Sequence, residues 1–280
     1  MLGPNQSPLN RLERELPEGL LVDSAWLKER GYSRQLLNHY VHTGWLNQPA
    51  RGIYRRSRGS LKWEQVVIAL QTLLDGNLLV GGRTALEMQG FAHYLQHETK
   101  EVHLYGPKPP PTWLRRLPAN VRFAYHNSNR LFVDKTLANF PKNLIHDANK
   151  NAGSDAERTS FVTQLWGQWD WPLALSSPER ATLELLDELP TRESFHQVDK
   201  LFESLTSLSP RRLQELLVAC KSVKVKRLFL FFAARHAHAW LKRLDQKQVD
   251  LGKGKRVLVK GGRLDPATQI TVPEDLDAVR

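Results

Sequence analysis

The chain has 280 residues, a net charge of +11 and a single cysteine, Cys220, a length sufficient for about two domains that each bury a core. One cysteine excludes an internal disulfide and argues against a thiolate-based zinc site. No apolar run approaches the roughly 18 residues of a membrane span and no signal-like segment opens the chain, so the composition predicts a protein of the reducing cytoplasm.

In chain order, the first informative elements lie between Val22 and Arg58. Asp23 is a capping residue for a helix that Gly31 breaks, and Ser33 opens a second helix that stops at Gly44. At 100° per residue, Leu36, Leu37, Tyr40 and Val41 share one side of this second helix. Arg34, Gln35, Asn38, His39 and His42 share the other. Arginine pairs with guanine edges, and asparagine or glutamine with adenine edges, in the major groove of DNA. The polar face therefore predicts base readout, against the plainer alternative of a solvated helix face.

Trp45-Leu46 reads as a short strand, Asn47 to Gly52 as a turn and Ile53 to Arg56 as the returning strand. Arg51, Arg55, Arg56, Arg58 and Lys62 fall in a stretch without acids. They are expected, with Ser33, to hold backbone phosphates. The pattern as a whole is that of a winged helix-turn-helix domain, assigned to residues 7–90.

Ser60 is expected to cap a helix with an apolar stripe of Leu61, Val66, Val67, Leu70, Leu73 and Leu74. Leu78 to Val80 reads as a buried strand, and Gly81-Gly82 as a tight turn into a helix from Arg83 to Gln89. A second, larger mixed domain is expected over 91–280, giving an α+β chain. Its sheet signals are Glu101 to Tyr105 and Val121 to Tyr125. Residues 134–160 show weak periodicity and predict an irregular excursion. Strand-like Phe161 to Trp171 brings Trp166, Trp169 and Trp171 together, as core or as a stacking surface for bases. Ser177-Pro178 and Ser209-Pro210 each have the chemistry of a helix start. A long helix is expected over Val225 to Leu244, apolar around much of its circumference and hence central in the core. A terminal hairpin from Arg256 to Lys260 and Gln269 to Val272 closes the chain.

Charge is concentrated between 211 and 263, where 15 Lys or Arg face three acids, Glu215, Asp245 and Asp250. Arg211, Arg212, Lys221, Lys224, Lys226, Arg227, Lys242 and Arg243 are the candidate surface. Its partner is either DNA backbone or an acidic protein face.

Signals for catalysis or metal binding are weak. His236 and His238, two apart on a helix, would point away from each other, and His39 and His42 fit base contacts better than zinc. Val80 to Leu86 has the look of the glycine turn of nucleotidyltransferases, where backbone N–H groups hold a triphosphate. Such enzymes need paired carboxylates on the next strand. Here Glu101 stands with His103, and the pair is missing. Binding is expected rather than turnover, with no cofactor and no metal.

Several segments resemble, in order, the AbiEi antitoxin and transcriptional regulator family of type IV toxin–antitoxin systems. These are Ser33-Arg34-Gln35 with Tyr40 and Gly44-Trp45-Leu46, Gly52-Ile53-Tyr54, Gly82-Arg83-Thr84-Ala85-Leu86 to Gly90, Ser177-Pro178-Glu179-Arg180-Ala181, and Gly261-Gly262-Arg263-Leu264 with Ile270-Thr271-Val272-Pro273. The resemblance implies an N-terminal winged helix that binds inverted repeats in its own promoter. It also implies a C-terminal antitoxin domain that counteracts a nucleotidyltransferase-like partner toxin, AbiEii. A monomer in solution with more than one copy on the operator is the expected state. The alternatives are a regulator with a ligand-sensing C-terminal domain and a nucleotidyltransferase-like enzyme.

Overall fold

The computed structural model describes residues 7–56, 59–91, 99–132 and 160–277, and the protein is a mixed α+β chain. The expected excursion at 134–160 lies almost wholly outside these residues, as does Arg58. No helix among them is long and apolar enough to cross a membrane.

The N-terminal part begins with α1 (Pro8–Glu15) and β1 (Leu21–Asp23), followed by α2 (Ser24–Glu29) and α3 (Arg34–His42). Local chemistry sets these boundaries. The Asp23 carboxylate accepts the Trp26 N–H at 2.9 Å, and Gly31 ends the turn after α2 with a φ of 81° that a side chain would disfavour. Two further strands, β2 (Asn47–Ala50) and β3 (Ile53–Arg55), complete an antiparallel sheet of order β1-β3-β2. The sequence reading placed a strand at Trp45-Leu46 and a turn over 47–52; the strand instead runs through 47–50 and the turn is Arg51-Gly52. A register shift between Asn47 and Ala50 accommodates Pro49, and edge strands tolerate proline there.

Alternation along β3 divides the core. Tyr54 joins Leu12, Leu16, Val22, Trp26, Leu27, Tyr32, Leu37, Tyr40 and Leu46 beneath the three N-terminal helices. Ile53 faces the other way, with Leu20 and Leu21, into the large core shared with α4 (Trp63–Thr72). The cap of α4 is Lys62, not Ser60: the Gln65 side chain accepts the Lys62 backbone N–H at 3.0 Å.

A five-stranded sheet organises the rest. It contains β4 (Leu79–Val80), β5 (Glu101–Gly106), β6 (Arg122–Asn127), β7 (Phe161–Trp166) and β8 (Trp171–Ser176), in the order β6-β5-β4-β8-β7. The pairs β5–β6 and β4–β8 are parallel and the others antiparallel. Strand β4 is therefore central, and the sheet joins residues on both sides of 90. Gln71 of α4 fixes this centre, donating to the carbonyls of Leu78 and Ala174 and accepting the Ala174 N–H. The tryptophans at 166–171 flank a hairpin turn, where Trp166 and Trp171 are half-buried. Trp169 is exposed rather than core, because Gly167 to Asp170 turns the chain outside the sheet.

Helix α5 (Gly82–Met88) follows β4 directly, and α6 (Pro178–Asp187), α7 (Phe195–Ser204), α8 (Pro210–Ala219) and α9 (Val223–Arg235) follow the sheet. Ser177 and Ser209 cap α6 and α8 as their sequences indicate. Helix α9 is buried on nearly all sides, but it ends at Arg235 and not near Leu244. Ala237 turns the chain with a φ of 48°. His236 bonds Asp199 and His238 bonds the Phe202 carbonyl, at 2.8 and 2.7 Å, so tertiary partners end this helix. The two imidazoles stack at 5.9 Å instead of pointing apart. The final hairpin pairs β9 (Arg263–Asp265) with β10 (Ile270–Val272); of the predicted first strand Arg256 bridges to Ile270, while Leu258 and Val259 bond these strands only through the Thr271 hydroxyl.

Candidate nucleic-acid interface

Helix α3 carries the largest set of uncommitted polar side chains in the N-terminal part. Ser33 Oγ caps it by accepting the Leu36 N–H at 3.2 Å, and Leu37 and Tyr40 anchor its inner side in the core. Leu36 and Val41 lie half-buried beside them. Arg34, Gln35, Asn38, His39 and His42 are all exposed. None of the five side chains makes a hydrogen bond or ion pair with another described residue, so their donors and acceptors face solvent. The helix is set against the hairpin by a Leu46 N–H bond to the Tyr40 carbonyl. Ser24 at the start of α2 donates both its N–H and its hydroxyl to the Gly52 carbonyl, at 2.9 and 3.0 Å. Gly52 has a φ of 78°, and a Cβ there would meet Ser24 Oγ.

The hairpin arginines divide by burial. Arg51 is exposed at the turn. Arg55 cannot meet phosphates as expected: it occupies the central strand on the Ile53 side, is 2% exposed, and its burial lowers the guanidinium pKa. Arg56 is also committed, donating to the Glu13 and Leu16 carbonyls at 2.8 and 3.0 Å beside the Glu13 carboxylate. It ties the hairpin to α1. Lys62 is exposed, with its ammonium 5.7 Å from the centre of the Trp166 ring. Sequence reasoning missed Trp45, which is 51% exposed next to α3, and the exposed Asn47 and Gln48 on β2. Their signal was hidden by reading the strand two residues too early.

The candidate basic surface is likewise smaller than its charge. Arg227 is buried and donates to the carbonyls of Leu251, Gly252, Gly254 and Gln269. Lys226 is buried too. Lys224 bonds the Asp187 and Leu189 carbonyls, and Lys221 the Asn129 carbonyl. Arg211 pairs with Glu215, and Arg212 lies 3.8 Å from Glu179. Lys242 and Arg243 stand exposed. Lys221, Lys224 and Arg227 are structural, because the carbonyl ends of helices and loops around α9 need donors.

The glycine turn at 81–82 is closed from inside. The Gly82 N–H donates to the Glu184 carboxylate at 3.0 Å, and that carboxylate also accepts Arg180 Nε at 2.7 Å. Both side chains are fully buried. A Cβ on Gly81 would collide with Glu184 and with the Tyr105 ring, so the glycine serves close packing. The place of a phosphate at this helix start is filled by a side-chain carboxylate. Nearby, His103 Nδ1 lies 3.0 Å from His126 Nε2, and His126 Nδ1 lies 3.0 Å from Glu188. Burial, reinforced by the His126 charge, pushes His103 down to about 4. Among the described residues no group of three or more His, Cys, Asp or Glu could hold a metal ion.

Two family models match consecutive parts of the chain. One, described as the AbiEi antitoxin N-terminal domain of a transcriptional regulator, covers residues 5–97. The other, described as a transcriptional regulator, AbiEi antitoxin, of a type IV TA system, covers 99–273. No curated protein matches. Among solved structures, the RV2827C protein from Mycobacterium tuberculosis is similar in fold, with 14% identity and a TM-score of 0.53 over 94% of this chain and 88% of that one. The chain therefore belongs to the AbiEi family of type IV toxin–antitoxin transcriptional regulators.

Proposed function

We propose that residues 7–90 work as a winged helix-turn-helix that reads promoter DNA, and that the protein represses its own operon by binding inverted repeats. The larger C-terminal part counteracts a cognate nucleotidyltransferase-like toxin. The observation that carries the reading is the outer face of α3. Five side chains suited to base edges lie there with no hydrogen bond or ion pair to a described residue, on a helix fixed from beneath by Leu37 and Tyr40. Arg51 at the hairpin tip and Lys62 supply phosphate contacts. Membership of a regulator family supports the same reading.

The test is binding of the full chain to duplexes from its own promoter and to random duplexes at fixed salt. Arg34→Ala is expected to weaken promoter binding by about 1–3 kcal/mol and to relax base preference. Equal losses on both duplexes would remove Arg34 from base readout. A wild-type chain that binds neither duplex would overturn the reading itself.

A further inference from the structure

Between the end of α3 and the hairpin tip runs an exposed ribbon that the reading role of α3 does not use. Trp45 is 51% exposed, and Asn47 and Gln48, the first residues of β2, are exposed beyond it. None of the three side chains makes a hydrogen bond with a described residue. From Thr43 to Ala50 the chain carries no charge, although 25% of all its residues are charged.

The fold holds this ribbon at both ends. The Leu46 N–H donates to the Tyr40 carbonyl, and the Gly52 carbonyl accepts the N–H and hydroxyl of Ser24. Between these ties Asn47 pairs with Arg55 and Ala50 with Ile53, so Gln48 and Pro49 together oppose Tyr54. A bulge of this kind re-aims side chains. Strict alternation would send two successive residues to opposite faces; here both amides reach solvent. Strand β2 is an edge of its sheet, but the bulge and Pro49, which has no N–H, spoil it as a template for a strand of another protein.

We infer that β2 is a second reading element, lying in the minor groove beside the major groove that α3 occupies. There Asn47 and Gln48 distinguish A·T from G·C pairs, and the Trp45 ring packs on the sugars of the groove wall. The inference rests on the proposed reading role of α3 and adds a different groove and different base pairs. Side-chain chemistry favours it over plain phosphate contact. Carboxamides bring no charge to neutralise phosphates, but each offers donors and an acceptor. The minor groove shows acceptors at A·T pairs and adds the guanine amino group at G·C pairs, and asparagine and glutamine are among the residues that read it. The reach is also sufficient. The six residue steps from Trp45 to Arg51 cover about 20 Å when extended, and neighbouring grooves lie about half a turn, roughly 17 Å, apart along the duplex.

The experiment measures binding of the full chain to promoter duplexes in which single A·T pairs are replaced by G·C or by inosine·cytosine. Inosine lacks the amino group of guanine, so its pair presents the minor groove of A·T with the major groove of G·C. Pairs read by α3 should be penalised by both replacements. At one or more neighbouring pairs, G·C should weaken binding roughly tenfold while inosine·cytosine is accepted, and Asn47→Ala with Gln48→Ala should erase that difference. Trp45→Ala should weaken binding to every duplex by roughly tenfold, and Trp45→Phe should restore most of it. The inosine comparison is made on the wild type, so it does not depend on how a variant folds. If both replacements cost the same at every pair, the inference falls and the reading role of α3 stands; if neither costs anything at any pair, both fall. A G·C penalty that survives unchanged in the double variant would also overturn the assignment to β2.

Discussion

The outer face of α3 and the inner end of α6 both hold polar side chains, in opposite conditions. On α3, arginine, glutamine, asparagine and histidine are exposed and uncommitted. At α6, Arg180, Glu184 and Glu188 are buried, and Glu184 and Glu188 are bonded to Gly82 and His126. Polar groups out of water must find partners or cost several kcal/mol, so the α6 cluster is committed to holding α5, α6 and β6 together. Those on α3 keep their hydrogen-bonding capacity for something outside the chain. Residue type announces neither role. What separates them is whether the fold has already used the donors and acceptors.

The largest effect that would break this contrast is at Glu184. Glu184→Ala would leave a buried guanidinium without its carboxylate and the Gly82 N–H without its acceptor. A loss of about 3–5 kcal/mol is expected in denaturant unfolding, with promoter binding of the remaining folded protein unchanged. A loss below about 1 kcal/mol would mean that the ion pair does not close the helix start as described.

His103 gives a smaller effect with a defined pH window. An unfolded histidine titrates near 6.5, whereas burial holds His103 at about 4. Between these values the unfolded chain binds a proton that the folded chain does not, so stability falls as pH drops through the window and levels off above it. The shift is equivalent to roughly 3 kcal/mol at most. His103→Gln should flatten that part of the profile in urea unfolding at a series of pH values. A variant whose profile still falls as steeply as the wild type's would assign the acid sensitivity to another group.

Much of the local structure was legible because local chemistry sets it. Asp23, Ser33, Ser177-Pro178 and Ser209-Pro210 start helices through bonds to residues three positions on, and the facial split of α3 follows from its period. Family membership was legible in short ordered segments. Three of the misreadings share one cause: the deciding partner was distant in sequence. Arg56 is taken by Glu13 and Leu16, Arg227 by loop carbonyls beyond residue 250, and the end of α9 by Asp199 and Phe202. Ala237 gives no warning of its positive φ, since glycine or asparagine is the usual residue there. Charge density alone therefore overstated the hairpin and the 211–243 surface. It also left 253–263, where the cations remain exposed, out of the candidate residues.

The smallest expected change in stability is the most informative about α3. Asn38 lies in the middle of the exposed face, one turn from Arg34 and from His42, and its side chain bonds to no described residue. Alanine is a better helix former than asparagine, so Asn38→Ala should leave unfolding within about 0.5 kcal/mol of wild type or raise it slightly. If its amide reads an adenine edge, promoter binding should nevertheless weaken by about 1–3 kcal/mol while random duplexes are bound as before. Stability and binding would then move independently at this position, whereas at Glu184 only stability moves. A destabilisation above about 1 kcal/mol would show that Asn38 serves the fold, and the two regions would no longer differ in the way described.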